Sequence, residues 1–160
     1  MLEQCPMCGA GTRLIRHGFY SRYALFKDHC YLLDICRYLC RSCKKTLSLL
    51  PWMLLPRFQN TRDSVLGSLR NFLTNKPILL CRQLVSFYHH RFFKNIPAII
   101  TALREMEWTP LPGDEKQRAI KIVDRLLITT PCDSTSSGQY ANRILTNFMA
   151  KSFYHPTTSL

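Results

Sequence analysis

Apolar and polar positions change their period near residue 56, and the change divides the chain. Before it, β-formers gather in short runs. Residues 12–20 (TRLIRHGFY), 31–39 (YLLDICRYL) and 46–49 (TLSL) predict three strands, with Gly18 as a bulge or bend in the first. After it, apolar residues recur three and four apart, as on a helix face. Val65, Leu66, Leu69, Phe72 and Leu73 mark a first helix, with Asn60 or Thr61 as its cap and Asp63 in its first turn. Asn75, Lys76 and Pro77 stop it and restart the chain. A second helix turns Leu80, Leu84, Val85, Phe87 and Tyr88 inward and ends in a short turn over 89–94. A third begins near Asn95, holds Pro97 in its first turn, and carries Ile96, Ile99, Ile100, Leu103 and Met106. Leu111, Pro112 and Gly113 break the chain again. Asp114 then caps a fourth helix with Gln117 at the capping-box position and an apolar face of Ala119, Ile120, Ile122, Val123, Leu126 and Leu127. A polar loop over 131–138 (PCDSTSSG) precedes a fifth helix marked by Tyr140, Ile144, Leu145, Phe148 and Met149, and 155–160 reads as a loose tail.

These elements predict an α+β protein: a small N-terminal β module over 1–58, a three-helix unit over 59–110, and further helices with a tail over 111–160. Three short helices with a brief turn between the last two outline a helix-turn-helix. The apolar run 47–56 (LSLLPWMLLP) is too short to span a membrane, and Leu47, Leu49, Leu50 and Trp52 are expected to dock the β module on the helices.

Charge adds a direction. The net charge is +12, and residues 1–62 alone carry 10 basic against 3 acidic side chains. A polyanionic partner is therefore expected to meet the first third of the chain. No basic and apolar leader pattern is visible in the first twenty residues. The cytoplasm, with association to the nucleoid, is the expected location, and no membrane partner is expected.

Eight cysteines in a reducing compartment point to metal rather than disulfides. Two C-x-x-C pairs stand out, Cys5 with Cys8 and Cys40 with Cys43. Each pair can make a tight turn whose backbone N–H groups face thiolate sulfur. Two such turns supply four sulfurs to one closed, structural zinc ion. The stretch between them can hold a β-hairpin, so the expected module is a zinc ribbon. A redox pair would require a βαβ context that is not apparent. Cys30 and Cys36 read as strand or loop residues, Cys81 and Cys132 as isolated thiols, and His17 and His29 as surface residues.

Arg13, Arg16, Arg22, Lys27, Arg37, Arg41, Lys44 and Lys45 lie on or near the predicted ribbon, interleaved with Tyr20, Tyr23 and Tyr38. A knuckle or hairpin carrying Arg can track phosphates, which would make binding salt-dependent. In a helix-turn-helix, Lys94, Asn95, Thr101 and Arg104 would face outward from the third helix toward a DNA groove.

CPMCG (5–9), RHGFYSR (16–22) and ICRYLCRSCKKTLSLLPWMLLP (35–56) resemble the zinc-ribbon head of bacterial insertion-sequence transposase-like proteins, a family of small transposase-related domains. Leu47 stands where phenylalanine is usual. The resemblance implies a helix-turn-helix after the ribbon, a zinc-dependent DNA-binding role, and Cys5, Cys8, Cys40 and Cys43 as the metal ligands. Full transposases of this kind continue into an RNase H-like domain with three metal-binding carboxylates. Here only Asp114, Glu115, Asp124 and Asp133 follow residue 108, in about fifty residues, too little chain for that fold.

The expected function is thus a non-catalytic, zinc-dependent DNA-binding protein, an accessory or remnant of a mobile element, with RNA as the alternative nucleic acid. The competing reading is a zinc-scaffolded adaptor in a nucleoprotein complex, which assembles with a second copy or a partner protein through the helices beyond 110. A four-cysteine site has no open coordination position for water, and no Ser/His/Asp or Cys/His set has a fitting context, so no enzyme is expected.

Overall fold

In the computed structural model, residues 5, 7–11, 14–51, 53–104 and 110–128 are described, with side chains in the long second helix described as far as Thr101. The expected fifth helix, Cys132, Trp52, Arg13 and the C-terminal tail lie outside the described residues, as does the side chain of Arg104. The chain divides into two compact units between Pro51 and Trp52. It is α+β, with one three-stranded antiparallel sheet and three helices among the described residues.

The sheet belongs to the first unit, in the order β1-β2-β3, with β1 Ile15–Leu25, β2 Cys30–Leu39 and β3 Thr46–Ser48. The first strand runs five residues further than the β-former run predicts. β1 and β2 form a long hairpin from Ile15↔Leu39 to Leu25↔Cys30. The register slips between Arg16 and Gly18, which places a bulge at the expected glycine, and Gly18 has φ 139° there, a backbone region closed to side chains with a Cβ. Beyond the bulge, the period of two sorts the hairpin into faces. Ala24 and Ile35 are buried on one face. Phe19, Tyr23 and Leu32 are exposed on the other. At the tip, Phe26 stacks on His29 with ring centroids 4.8 Å apart, and Tyr31 meets both rings edge-on.

Among its described residues the second unit has three helices, α1 Arg62–Leu73, α2 Arg82–Arg104 and α3 Glu115–Ile128. Thr61 caps α1, its hydroxyl oxygen accepting from the Ser64 amide, and Asp63 stands in the first turn as expected. The helix stops by a Schellman arrangement. Lys76 N–H donates to the Asn71 carbonyl at 2.8 Å and Asn75 N–H to the Phe72 carbonyl at 3.3 Å, with Asn75 left-handed at φ 55°. Asp114 caps α3, accepting from the Gln117 amide at 2.7 Å. α1 packs on both α2 and α3. One core holds Leu55, Phe58, Val65, Leu66, Leu69, Leu73, Tyr88, Phe92, Ile96, Ile99, Ala119, Ile122, Val123 and Leu126, so residues on both sides of 110 share it.

Two expectations are corrected. The short turn over 89–94 and the separate third helix after it do not exist, because α2 is continuous through both. Val85, Tyr88, Phe92, Ile96 and Ile99 keep one helical phase across the supposed turn, and their burial outweighs the proline at 97. Pro97 therefore sits inside a helix, where it removes a backbone hydrogen bond. Phe87 is the second correction. It is exposed rather than inward, since Val85, Tyr88 and Phe92 already define the buried stripe one position away. The second and third expected helices are thus one helix, Arg82–Arg104, and over 59–104 the unit has two helices rather than three.

Two cations inside this unit escaped the sequence reading. Arg62 is fully buried and donates to the Leu126 carbonyl at the C-terminal end of α3. Desolvation lowers its pKa, against the opposing pull of Asp63. Arg91 is also buried, with its guanidinium over the rings of Phe58 at 5.7 Å and Phe87 at 5.2 Å, and desolvation lowers its pKa too.

Candidate metal centre

The sulfur atoms of Cys5, Cys8, Cys40 and Cys43 all lie within 4.8 Å of one another. Two local structures bring them together, and they are built alike. In the first, Gly9 N–H donates to the Cys5 carbonyl at 2.8 Å, and Cys5 N–H donates to the Ala10 carbonyl at 3.0 Å. In the second, Lys44 N–H donates to the Cys40 carbonyl at 2.9 Å, and Cys40 N–H donates to the Lys45 carbonyl at 3.0 Å. The residue after the second cysteine is left-handed in both, Gly9 at φ 70° and Lys44 at φ 57°. The same sequence spacing thus folds into the same turn twice, because a C-x-x-C turn closes only if the next residue reverses its backbone.

The turns face each other. Cys5 Sγ is 3.8 Å from Cys43 Sγ, and Cys8 Sγ is 3.8 Å from Cys40 Sγ. The first cysteine of each turn, Cys5 and Cys40, is buried, while Cys8 is exposed and Cys43 half-buried. β2 delivers Cys40 directly from its end, and β3 follows the second turn, so the sheet fixes one half of the site.

The surroundings of Cys8 act on its ionisation in opposite directions. The Ala10 backbone lowers the pKa of Cys8. Desolvation and the hydrogen bonds from Cys5, Cys43 and Cys40 outweigh it and push Cys8 up to about 11. A cation among the sulfurs removes that penalty, since it favours all the thiolates together. The four cysteines can hold a metal ion, and they are the one such group of His, Cys, Asp and Glu side chains among the described residues.

The remaining cysteines stand apart from this group. Cys30 and Cys81 are exposed thiols and Cys36 is half-buried in β2 opposite Phe19, and none of the described cysteines is in a disulfide. His17 and His29 are exposed, as expected.

The candidate phosphate-contacting and groove-facing residues fall into three groups. Arg16, Arg41, Lys44 and Lys45 are exposed. Arg22 and Arg37 are half-buried, and the Arg37 guanidinium lies 5.1 Å from the Tyr20 ring centroid. On α2, Lys94 is exposed, but Asn95 and Thr101 turn back onto their own helix. Asn95 Nδ2 donates to the Arg91 carbonyl at 2.7 Å and Thr101 Oγ1 to the Pro97 carbonyl at 3.0 Å. Gly9, Ala10 and the Lys45 backbone shape the site and were missed as contributors. The glycine directly after Cys8 was the signal available for one of them.

No described helix is long and apolar enough to cross a membrane. Comparison of the chain with protein-family models, with curated proteins and with solved structures found no match.

Proposed function

We propose that this chain is a non-catalytic DNA-binding protein whose first unit is a zinc ribbon. The observation that carries the proposal is the convergence of two identical cysteine turns in the most basic part of the chain. Zinc is supported by the donor set and its spacing. A tetrahedron with zinc–sulfur bonds of about 2.3 Å has edges of about 3.8 Å, and the sulfurs of the two facing pairs stand at that separation. Four thiolates close the shell, so the ion is structural and leaves no position for a reacting water. The first unit has a strong need for it. Among its described residues only Cys5, Ala24, Ile35 and Cys40 are buried apolar side chains, and two of the four are ligands.

DNA is supported by charge and by where the charge is displayed. Arg41, Lys44 and Lys45 lie in and just after the second turn, exposed and rigidly spaced by the metal site, and Arg16 is exposed on the hairpin. Such cations bind phosphates without reading sequence. The resemblance to transposase-related ribbons points the same way. The long continuous α2 gives no support to a recognition helix after a turn, so the ribbon carries the DNA contact in this reading.

The test is one titration series. Metal analysis of purified protein is expected to give one zinc per chain. Gel-shift or anisotropy titrations with DNA at several salt concentrations are expected to show affinity falling steeply with salt. Zinc-loaded protein that binds neither duplex nor single-stranded DNA at low salt refutes the reading and leaves the adaptor role.

A further inference from the structure

The hairpin extends well past the metal centre, and one of its faces displays large apolar side chains where a surface strand pair is normally polar. Phe19 is 55% exposed, Tyr23 53% and Leu32 60%. The register places them together. Tyr23 pairs directly with Leu32, and Phe19 precedes Tyr23 by four residues on the same strand, so the two rings share a face about 13 Å apart. Between them stands the polar pair Ser21 and Asp34, joined by a hydrogen bond of 2.9 Å. At the inner end, the Arg16 guanidinium lies 4.3 Å from the Phe19 ring centroid. One face therefore carries two exposed rings with a cation held beside the first.

We propose that this face is a stacking platform for single-stranded DNA, with unpaired bases lying on Phe19 and Tyr23. The proposal rests on the DNA-binding reading above and sharpens it. An aromatic ring at a strand surface meets a base face only when that base is free of its neighbours, so the platform selects single strands over duplex. Charge decides the occupant. Residues 1–62 carry net +7, which opposes burial of this face against a second identical copy and favours a polyanion. Arg16 and the exposed Lys27 near the tip lie at opposite ends of the aromatic stretch, placed to neutralise phosphates on either side of the stacked bases. Stacking engages the base faces of DNA and RNA alike, so the two rings themselves express no preference for RNA.

The experiment uses the zinc-loaded full chain and four arms: an oligothymidine strand, a duplex of equal length, an oligouridine strand, and the protein alone at increasing concentration. The wild type is expected to bind the thymidine strand more tightly than the duplex. Phe19→Ala and Tyr23→Ala are each expected to weaken single-strand binding by about fivefold or more, with zinc content and duplex binding unchanged. Tyr23→Phe, which keeps the ring, is expected to restore it. Equal loss on duplex and single strand, or no loss on either, overturns the platform while the DNA-binding reading stands. Tighter binding of oligouridine than of oligothymidine overturns it in favour of RNA. Self-association of the protein alone that Tyr23→Ala abolishes overturns it in favour of a second copy. Binding to none of the nucleic acids removes the DNA-binding reading itself, which separates the two failures.

Discussion

Gly9 and Lys44 occupy the same place in the two cysteine turns. Each follows the second cysteine of its pair, each donates its N–H to the carbonyl of the first, and each is left-handed. Glycine takes that conformation freely, whereas a residue with a Cβ is strained there by about 1–2 kcal/mol. Lys44 is the strained member. Lys44→Gly is expected to stabilise the zinc-loaded first unit by about 0.5–1 kcal/mol, after the larger unfolded-state entropy of glycine is set against the relief of strain. Gly9→Val is expected to destabilise it. Chemical denaturation followed by a probe in the hairpin checks both.

Loss of metal should unfold the first unit and spare the second. Cys40→Ser, or treatment with a strong chelator, is expected to abolish zinc binding and unfold the hairpin, because so little apolar surface remains to hold it. The helices should survive, since their core of residues from Leu55 to Leu126 contains no metal ligand. Far-UV circular dichroism and amide chemical shifts report this as loss of strand signals with retention of helix. Cys30→Ser and Cys36→Ser are expected to retain one zinc.

Phosphate contact can be counted. Each neutralised phosphate contributes about 0.9 to the slope of log affinity against log salt on duplex DNA. Replacing Arg41, Lys44 and Lys45 together by glutamine is therefore expected to lower that slope by about 2–3, across unrelated sequences. A slope unchanged by the triple substitution places the contacts elsewhere.

The continuity of α2 makes an unusual claim about a proline. Pro97 lies well inside the helix, and such a residue is about 3 kcal/mol less favourable than alanine. Pro97→Ala is expected to raise the stability of the helical unit by about 1–3 kcal/mol, read from its thermal or urea transition. If a separate helix began near Asn95, Pro97 would sit in a first turn and the substitution would be neutral or destabilising.

His89 gives the helical unit a pH dependence. Its ring lies 4.9 Å from that of Phe72 and 4.3 Å from that of Phe93. Burial and then the neighbouring charge of His90 hold its pKa below the ordinary 6.5. The unfolded chain therefore binds the proton more readily than the folded one. The stability linked to His89 is whole above about pH 6.5 and is lost as the pH falls through the lower folded value. His89→Phe is expected to flatten the acid side of the stability profile, measured by denaturation between neutral pH and the onset of carboxylate titration.

The cysteine centre was legible in the sequence because its geometry is local. Two residues between cysteines fix each turn, and only the facing of the turns is a tertiary fact. The strands were legible for a similar reason, down to the bulge at Gly18. The length of the first strand was not, because Ser21, Arg22 and Ala24 have no strong strand preference and are held by pairing with Asp34, Leu33 and Tyr31. The break in α2 was misjudged because histidines, a lysine and a nearby proline look like an end. The phase of Tyr88, Phe92, Ile96 and Ile99 ran unbroken through them and carried the better information. Arg62 and Arg91 could not be foreseen inside, since charge alone places arginine outside, and the partners that accompany their burial, such as the Leu126 carbonyl and the rings of Phe58 and Phe87, are tertiary.

The cysteine centre has an inside and an outside. Cys5 and Cys40 are sealed, while Cys8 opens to solvent and Cys43 partly so. Traffic at such a centre is one-sided. A metal ion held there would meet solvent at Cys8 and Cys43 and be closed off at Cys5 and Cys40. A chelator or an oxidant would reach it by the same edge, where Cys8 is the most open of the four sulfurs. In the proposed DNA-binding role, the grip of the first unit would thus be most open to attack at a single exposed thiol, Cys8.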